Sequence, residues 1–132
     1  MSQTESNKAF VREMLGEKKQ LDDFPGRFDP NLMMHEPASL PFGGAHHGLA
    51  DFKRFYPDVR KYYDFNRFEL LGVYGDGDTV FATFRVGIRA APDTTMYVAE
   101  QFTFDGTKLI EVRVHICDAV SSVSARHKLP QR

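Results

Sequence analysis

The sequence predicts an α+β fold, with N-terminal helices packed on one curved, mostly antiparallel sheet. Two observations carry this expectation. In the first half of the chain apolar residues recur at three- and four-residue spacing, as on one side of a helix. From Asn66 onward apolar and polar residues alternate between turn signals, as in half-buried strands. Helices first and strands afterwards is the order of an α+β fold rather than of repeated βαβ units.

Residues 3–20 read as the first helix, with Phe10, Val11, Met14 and Leu15 on one side and charges elsewhere. The stretch LDDFPGRFDP, with two prolines and a glycine, reads as a broken turn or a short second helix, followed by a short strand over Leu32–Glu36. The loop PASLPFGGAHHG then leads to Gly48 and a helical segment over residues 49–63, carried by Leu49, Phe52, Phe55, Tyr56, Val59 and Tyr63. Pro57 is expected to kink or split it. Four strands follow as a meander, NRFELLGVY, TVFATFRVGIRA, TMYVAEQFTF and LIEVRVHICDA, with turns at GDGD, APDT and DGTK. GDGD lacks the rest of a calcium-loop pattern and reads as a hairpin turn.

The 132 residues, 42% of them hydrophobic, fit a single domain over 1–132 with a polar, loose tail at 121–132. A net charge of −1 without a basic stripe argues against a nucleic-acid partner. The apolar runs are too short for a membrane span and the polar start MSQTESNK is not signal-like, so the expected location is the cytoplasm. The single cysteine, Cys117, fits a reducing compartment and reads as structural. Twelve Phe and no Trp suggest a core or a cavity walled by phenyl rings.

Alternation sorts the strand residues into faces. One strand turns Val80, Ala82, Phe84, Val86 and Ile88 inward; the last turns Ile110, Val112, Val114 and Ile116 inward. In the strand between them the apolar set Met96, Val98, Phe102 and Phe104 is interrupted by Glu100. A carboxylate on that face must find an arginine, be turned outward by a bulge, or serve as the acid of a pocket. Met14, Phe52, Phe84, Val98, Phe102, Val114 and Ile116 are the expected pocket lining. Glu36, at the end of an apolar run and directly before Pro37, stands where a pocket mouth would open.

The order of elements, the segment HEPASLPFGGAHHG leading into LADFKRFY, and the closing FTFDGTKLIEVRVHICD resemble the SnoaL-like and ketosteroid-isomerase-like families of the NTF2-like superfamily. The resemblance covers about residues 8–120 and implies the cone-shaped, cystatin-like version of the α+β fold. It also implies roles. Glu36-Pro37 matches the Asp-Pro pair whose acid is the general base in ketosteroid isomerases, and Glu100 matches the acid kept protonated beside the oxyanion. Phe55-Tyr56 matches the Phe-Tyr pair whose Tyr supports the hydrogen-bond network. The oxyanion-donating Tyr of the family's first helix has no counterpart, because residues 4–20 contain no Tyr. The loop SLPFGGAHHG is nearer the SnoaL-like branch, whose characterised enzymes close polyketide rings without a cofactor; His35, His115 and Asp118 are the candidates for that branch's His and Asp.

The resulting expectation is a cofactor-independent isomerase, cyclase or lyase acting on a small apolar carbonyl compound, with Glu36, Glu100 and Tyr56 catalytic. The alternative is a non-catalytic ligand-binding domain of the same fold. His35 should point away from Glu36, while His46 and His47 should lie at the pocket rim. No zincin-like spacing joins the histidines, and no metal is expected. The outer sheet face, with Arg85, Arg89, Gln101, Arg113 and His115, is either solvated or a homodimer interface, and the resemblance favours the dimer.

Overall fold

Ser2 and Glu5 start the first helix. The Ser2 hydroxyl accepts the Glu5 backbone N–H at 3.1 Å, in the S-x-x-E pattern that satisfies otherwise unpaired N–H groups of a first turn. In the computed structural model, which describes residues 2–17 and 21–116, this helix, α1, spans Gln3–Gly16. It is shorter than the expected 3–20, of which residues 18–20 lie outside the described residues. A short 3-10 turn at Leu21–Asp23 fulfils the broken segment that two prolines and a glycine suggested.

Six strands form one sheet: β1 Phe28–Glu36, β2 Gly44–His47, β3 Tyr63–Asp76, β4 Thr79–Ile88, β5 Ala91–Asp105 and β6 Lys108–Ile116. Their order is β2-β1-β6-β5-β4-β3, and every pairing is antiparallel except β1 with β6. The meander β3–β6 follows the expectation. Strand β1 begins four residues before the expected Leu32, and β2 was expected as loop. Its glycine start and four-residue length hide a strand that forms only because β1 offers an edge to pair with.

Helix α2, Leu49–Tyr62, runs unbroken through Pro57, against the expected kink or split. Pro57 removes the bond to the Lys53 carbonyl, but both residues are exposed, where water replaces the missing donor. The Asp51 carboxylate accepts the His47 backbone N–H at 3.2 Å and helps fix the helix start.

Hairpin turns close β3–β4 at Gly77 and β5–β6 at Gly106, both with positive φ, a conformation glycine adopts without strain. The β4–β5 turn differs from expectation. It falls at Arg89-Ala90, and the residues APDT belong to β5. Arg67 explains this, because its guanidinium donates to the carbonyls of Ile88, Pro92 and Thr94 and holds that stretch extended.

The inward set of β4 is buried as expected. In β6 a register shift opposite Thr103 and Phe104 makes Ile110 the extra residue, so Leu109 takes the inward place expected for Ile110. At one end of the sheet Phe10 meets Phe24, Phe28 and Phe104 edge-on at 5.0, 5.7 and 6.0 Å. Each fully buried ring contributes about 1.5–3 kcal/mol, and edge-to-face pairing adds about 0.5–1.5. Phe28 of this cluster also borders the cavity between helices and sheet.

Candidate active site

A cavity of about 640 Å³ opens between the two helices and the inner sheet face. Phe28, Phe52, Phe65, Phe68, Phe84 and Phe102 supply rings to its wall, so the phenylalanine-rich composition serves both core and cavity. Of the expected lining residues, Met14, Phe52, Phe84, Val98, Phe102 and Val114 are there. Ile116 is not: it pairs with Val98 on the sheet and packs half-buried against the core without lining the cavity.

Three carboxyl groups line this space; Asp22 is exposed at its edge, and Glu36 and Glu100 face the apolar wall. Leu32, Met34 and Glu36 alternate inward along β1, and Pro37 ends the strand just beyond Glu36. The following loop is tightened by Leu40 N–H to the Pro37 carbonyl and Gly43 N–H to the Leu40 carbonyl, which returns the chain so that Gly44 pairs with Glu36. Glu100 faces inward because its partners across β4 and β6, Ala82 and Val114, are both buried, so the bulge that would have turned it outward is absent. Among the described residues arginine does not reach it either, and neither Glu36 nor Glu100 has a hydrogen bond or ion pair.

Because Met34 and His35 pair in register with Val112 and Arg113, Glu36 lies level with Val114, and Val114 pairs with Glu100. The two glutamates therefore flank β6, with backbones about 10 Å apart at two strand spacings. Burial pushes the Glu100 carboxyl up to about 7. Burial and then the charge of Glu100 push Glu36 up to about 8, from an ordinary value of 4.5. Near neutral pH the pair holds close to one negative charge, and its protons are shared properties of the two.

Two tyrosines line the same cavity. Tyr56 has its phenol pKa raised by burial, with Arg60 opposing and Glu100 adding to the shift. Tyr63 is buried, and burial together with the charges of Glu36, Tyr62 and Glu100 holds its proton firmly. Sequence reasoning passed over Tyr63 as the last apolar position of a helix. It is the first residue of β3, where a hydroxyl among phenyl rings was the available signal.

The histidines lie elsewhere. His35 points to the outer face as expected, where its Nε2 is 2.8 Å from the Glu111 carboxylate. His46 and His47 are in β2 and line no part of the cavity, contrary to the expected rim position. The His46 ring stacks on Phe55 at 3.9 Å, and its Nε2 is 2.8 Å from the Phe42 carbonyl, so it fastens the loop to α2. His115 meets Gln101 at 3.1 Å on the outer face, and Arg89 belongs to the β4–β5 turn, where its Nε donates to the Arg60 carbonyl. Cys117 and Asp118 lie outside the described residues. Among the described residues no three His, Cys, Asp or Glu side chains gather as a metal ion would require. Among them, too, no helix is long and apolar enough to cross a membrane.

The sequence matches the SnoaL-like domain family over residues 8–114. The chain belongs to the SnoaL-like family. No curated protein matches it. Solved structures share its fold: an NTF2-like protein from Burkholderia thailandensis E264 is 17% identical at a TM-score of 0.75, with 91% of this chain and 96% of that one covered. A protein from Jannaschia sp. CCS1, provisionally named a SnoaL-like polyketide cyclase, is 16% identical at a TM-score of 0.67, covering 95% and 96%. A de novo designed protein with a curved β-sheet is also 16% identical at 0.67, covering 91% of each chain. The SnoaL-like chain thus has a fold that natural and designed sequences both reach, and its chemistry must be argued from its site.

Proposed function

We propose that this SnoaL-like protein is a cofactor-independent acid–base enzyme, of isomerase, cyclase or lyase type, acting on a small apolar carbonyl compound of polyketide- or steroid-like character. One observation carries the reading: Glu36 and Glu100 face a single Phe-lined cavity, and among the described residues neither is hydrogen-bonded or ion-paired. With one proton lost, the pair offers a carboxylate and a carboxylic acid at once, at neutral pH, in an apolar space.

The carboxylate removes a proton from the carbon beside the substrate carbonyl. The C–H electron pair becomes the enolate, and the remaining acid, with Tyr63 or Tyr56, donates hydrogen bonds to the enolate oxygen. Returning the proton at another carbon isomerises the substrate. Attack of the enolate carbon on a second carbonyl closes a ring, the C=O π pair becoming an alkoxide that takes the proton of the acid, and loss of a β-hydroxyl with a proton from the acid eliminates water. The cavity requires no further group for any of these.

The test is proton exchange at the α-carbon of a panel of cyclic and aryl ketones in D2O, followed by NMR, for the wild type, Glu36→Gln and Glu100→Gln. A glutamine amide still donates a hydrogen bond but removes no proton. The variant at the base therefore loses exchange entirely, and the variant at the acid keeps part of it. Full exchange in both variants contradicts the proposal.

A second reading, a non-catalytic binding domain, is favoured by the absence of Tyr from α1. Under that reading the Gln variants lose affinity and there is no turnover to lose. The outer sheet face supports a homodimer, since Tyr74, Phe81 and Tyr97 are exposed on it. A cytoplasmic location accords with the single cysteine.

A further inference from the structure

Helix α2 presents Phe52, Lys53, Tyr56, Pro57, Val59 and Arg60 to the cavity. Its two cations differ. Lys53 Nζ is 3.7 Å from Asp22 of the 3-10 turn, an exposed pair that also borders the adjoining cleft of about 200 Å³. Arg60 lines the same cavity and has no carboxylate partner for its guanidinium among the described residues. Arg60 is exposed and Glu36 is buried, so Arg60 marks the mouth and Glu36 the interior. Tyr56, one helical turn before Arg60, feels the charges of both Arg60 and Glu100 and so lies between mouth and interior.

This arrangement is polarised, with a fixed cation at the opening, a run of rings, and the acid pair within. We propose that the substrate of the acid–base reaction carries a carboxylate at the end remote from its reacting carbonyl, and that Arg60 receives it. The guanidinium presents a planar fork of N–H donors that matches a carboxylate. A doubly charged phosphate would call on both cations, but they sit seven residues, about 10 Å, apart on the helix, and Lys53 is already paired. Anchoring the far end at Arg60 points the apolar body inward and sets which carbon reaches the glutamates. Arg60 is in this sense a specificity and positioning residue. The inference rests on the cavity being the substrate site, as proposed above.

The experiment is calorimetric binding at pH 6 of ω-phenylalkanoates with three- to eight-carbon chains and of the matching primary amides. At that pH both glutamates are largely protonated and do not repel an anion. The wild type should prefer at least one carboxylate over its amide by about tenfold. Arg60→Gln should erase that preference while leaving amide affinity unchanged, and Lys53→Gln should leave most of it. Glu36→Gln should keep the preference in full, which separates this inference from the acid–base reading. An equal affinity for acids and amides in the wild type overturns the inference, as does a preference that survives in Arg60→Gln or a failure of every acid to bind. None of these outcomes depends on ketone exchange, so the catalytic reading stands or falls separately.

Discussion

Glu36 and Glu100 reach the same cavity from strands that are not neighbours, with Val114 of β6 between them. That relationship keeps the carboxyls from simply sharing a proton across a short hydrogen bond, yet leaves them close enough for the charge of one to hold the proton of the other. The consequences below follow from this pairing and from the elements that hold it.

Stability should fall as pH rises. Each carboxyl binds its proton more tightly in the folded chain than in the unfolded one, where its value lies near 4.5. Unfolding therefore releases protons above that pH. The contribution is fully present below about 4.5 and is lost as pH climbs through about 7 for Glu100 and about 8 for Glu36. The loss is on the order of a few kcal/mol. Thermal melts at pH 5 and pH 9 should differ by on the order of 10 °C, lower at pH 9. Glu36→Gln and Glu100→Gln should each narrow the gap; a gap unchanged in both variants would show that other groups produce it.

Tyr63→Phe separates the hydroxyl from the ring. The ring packs edge-on against Tyr62 and Phe42 at 5.0 and 6.0 Å, and phenylalanine keeps those contacts. Stability should change by less than about 1 kcal/mol. If the phenol donates to an enolate oxygen, ketone exchange should fall by about 10²-fold. Undiminished exchange would leave Tyr56 and the carboxylic acid as the donors.

Gly43 links the loop to Glu36. A Cβ there would lie 2.3 Å from the Pro37 carbonyl oxygen and 2.8 Å from Ala38 Cα, both backbone atoms with little room to yield. Gly43→Ala should displace the turn directly behind Glu36, lowering stability by about 1–3 kcal/mol and reducing exchange further than the stability loss explains. Circular dichroism melts and the NMR exchange assay, run on the same samples, provide the comparison.

On the outer face the Tyr97 hydroxyl accepts from Arg85 at 2.9 Å, while Phe81 and Tyr97 remain exposed. If this face joins two copies, Phe81→Glu with Tyr97→Glu should convert a dimer to a monomer by light scattering, with the melting temperature of the monomer near that of the parent. A monomeric wild type would dismiss the interface.

Much of the fold was legible because the strands alternate strictly. The inward run Val80, Ala82, Phe84, Val86, Ile88 needed no tertiary information, and the same alternation exposed Glu100 as the misplaced residue. Glu36 was marked by the proline behind it. What stayed hidden depended on distant partners. Strand β2 forms only by pairing with β1, the β4–β5 turn is fixed by Arg67 from another strand, and the bulge at Ile110 is a matter of register. Tyr63 and Arg60 were missed for a related reason. Periodicity tells which side of a helix is apolar, but not that this side borders a space left unfilled.

The most direct measurement of the central claim is an NMR titration of the Glu36 and Glu100 side-chain carboxyl carbons, assigned with the two Gln variants. The account predicts that both titrate well above ordinary glutamates, Glu36 near 8 and Glu100 near 7, and that Glu100→Gln lowers Glu36 only partway, because burial is its larger cause. Two carboxyls titrating near 4.5 would contradict it, since the cavity would then hold two charges throughout the neutral range and no proton to give.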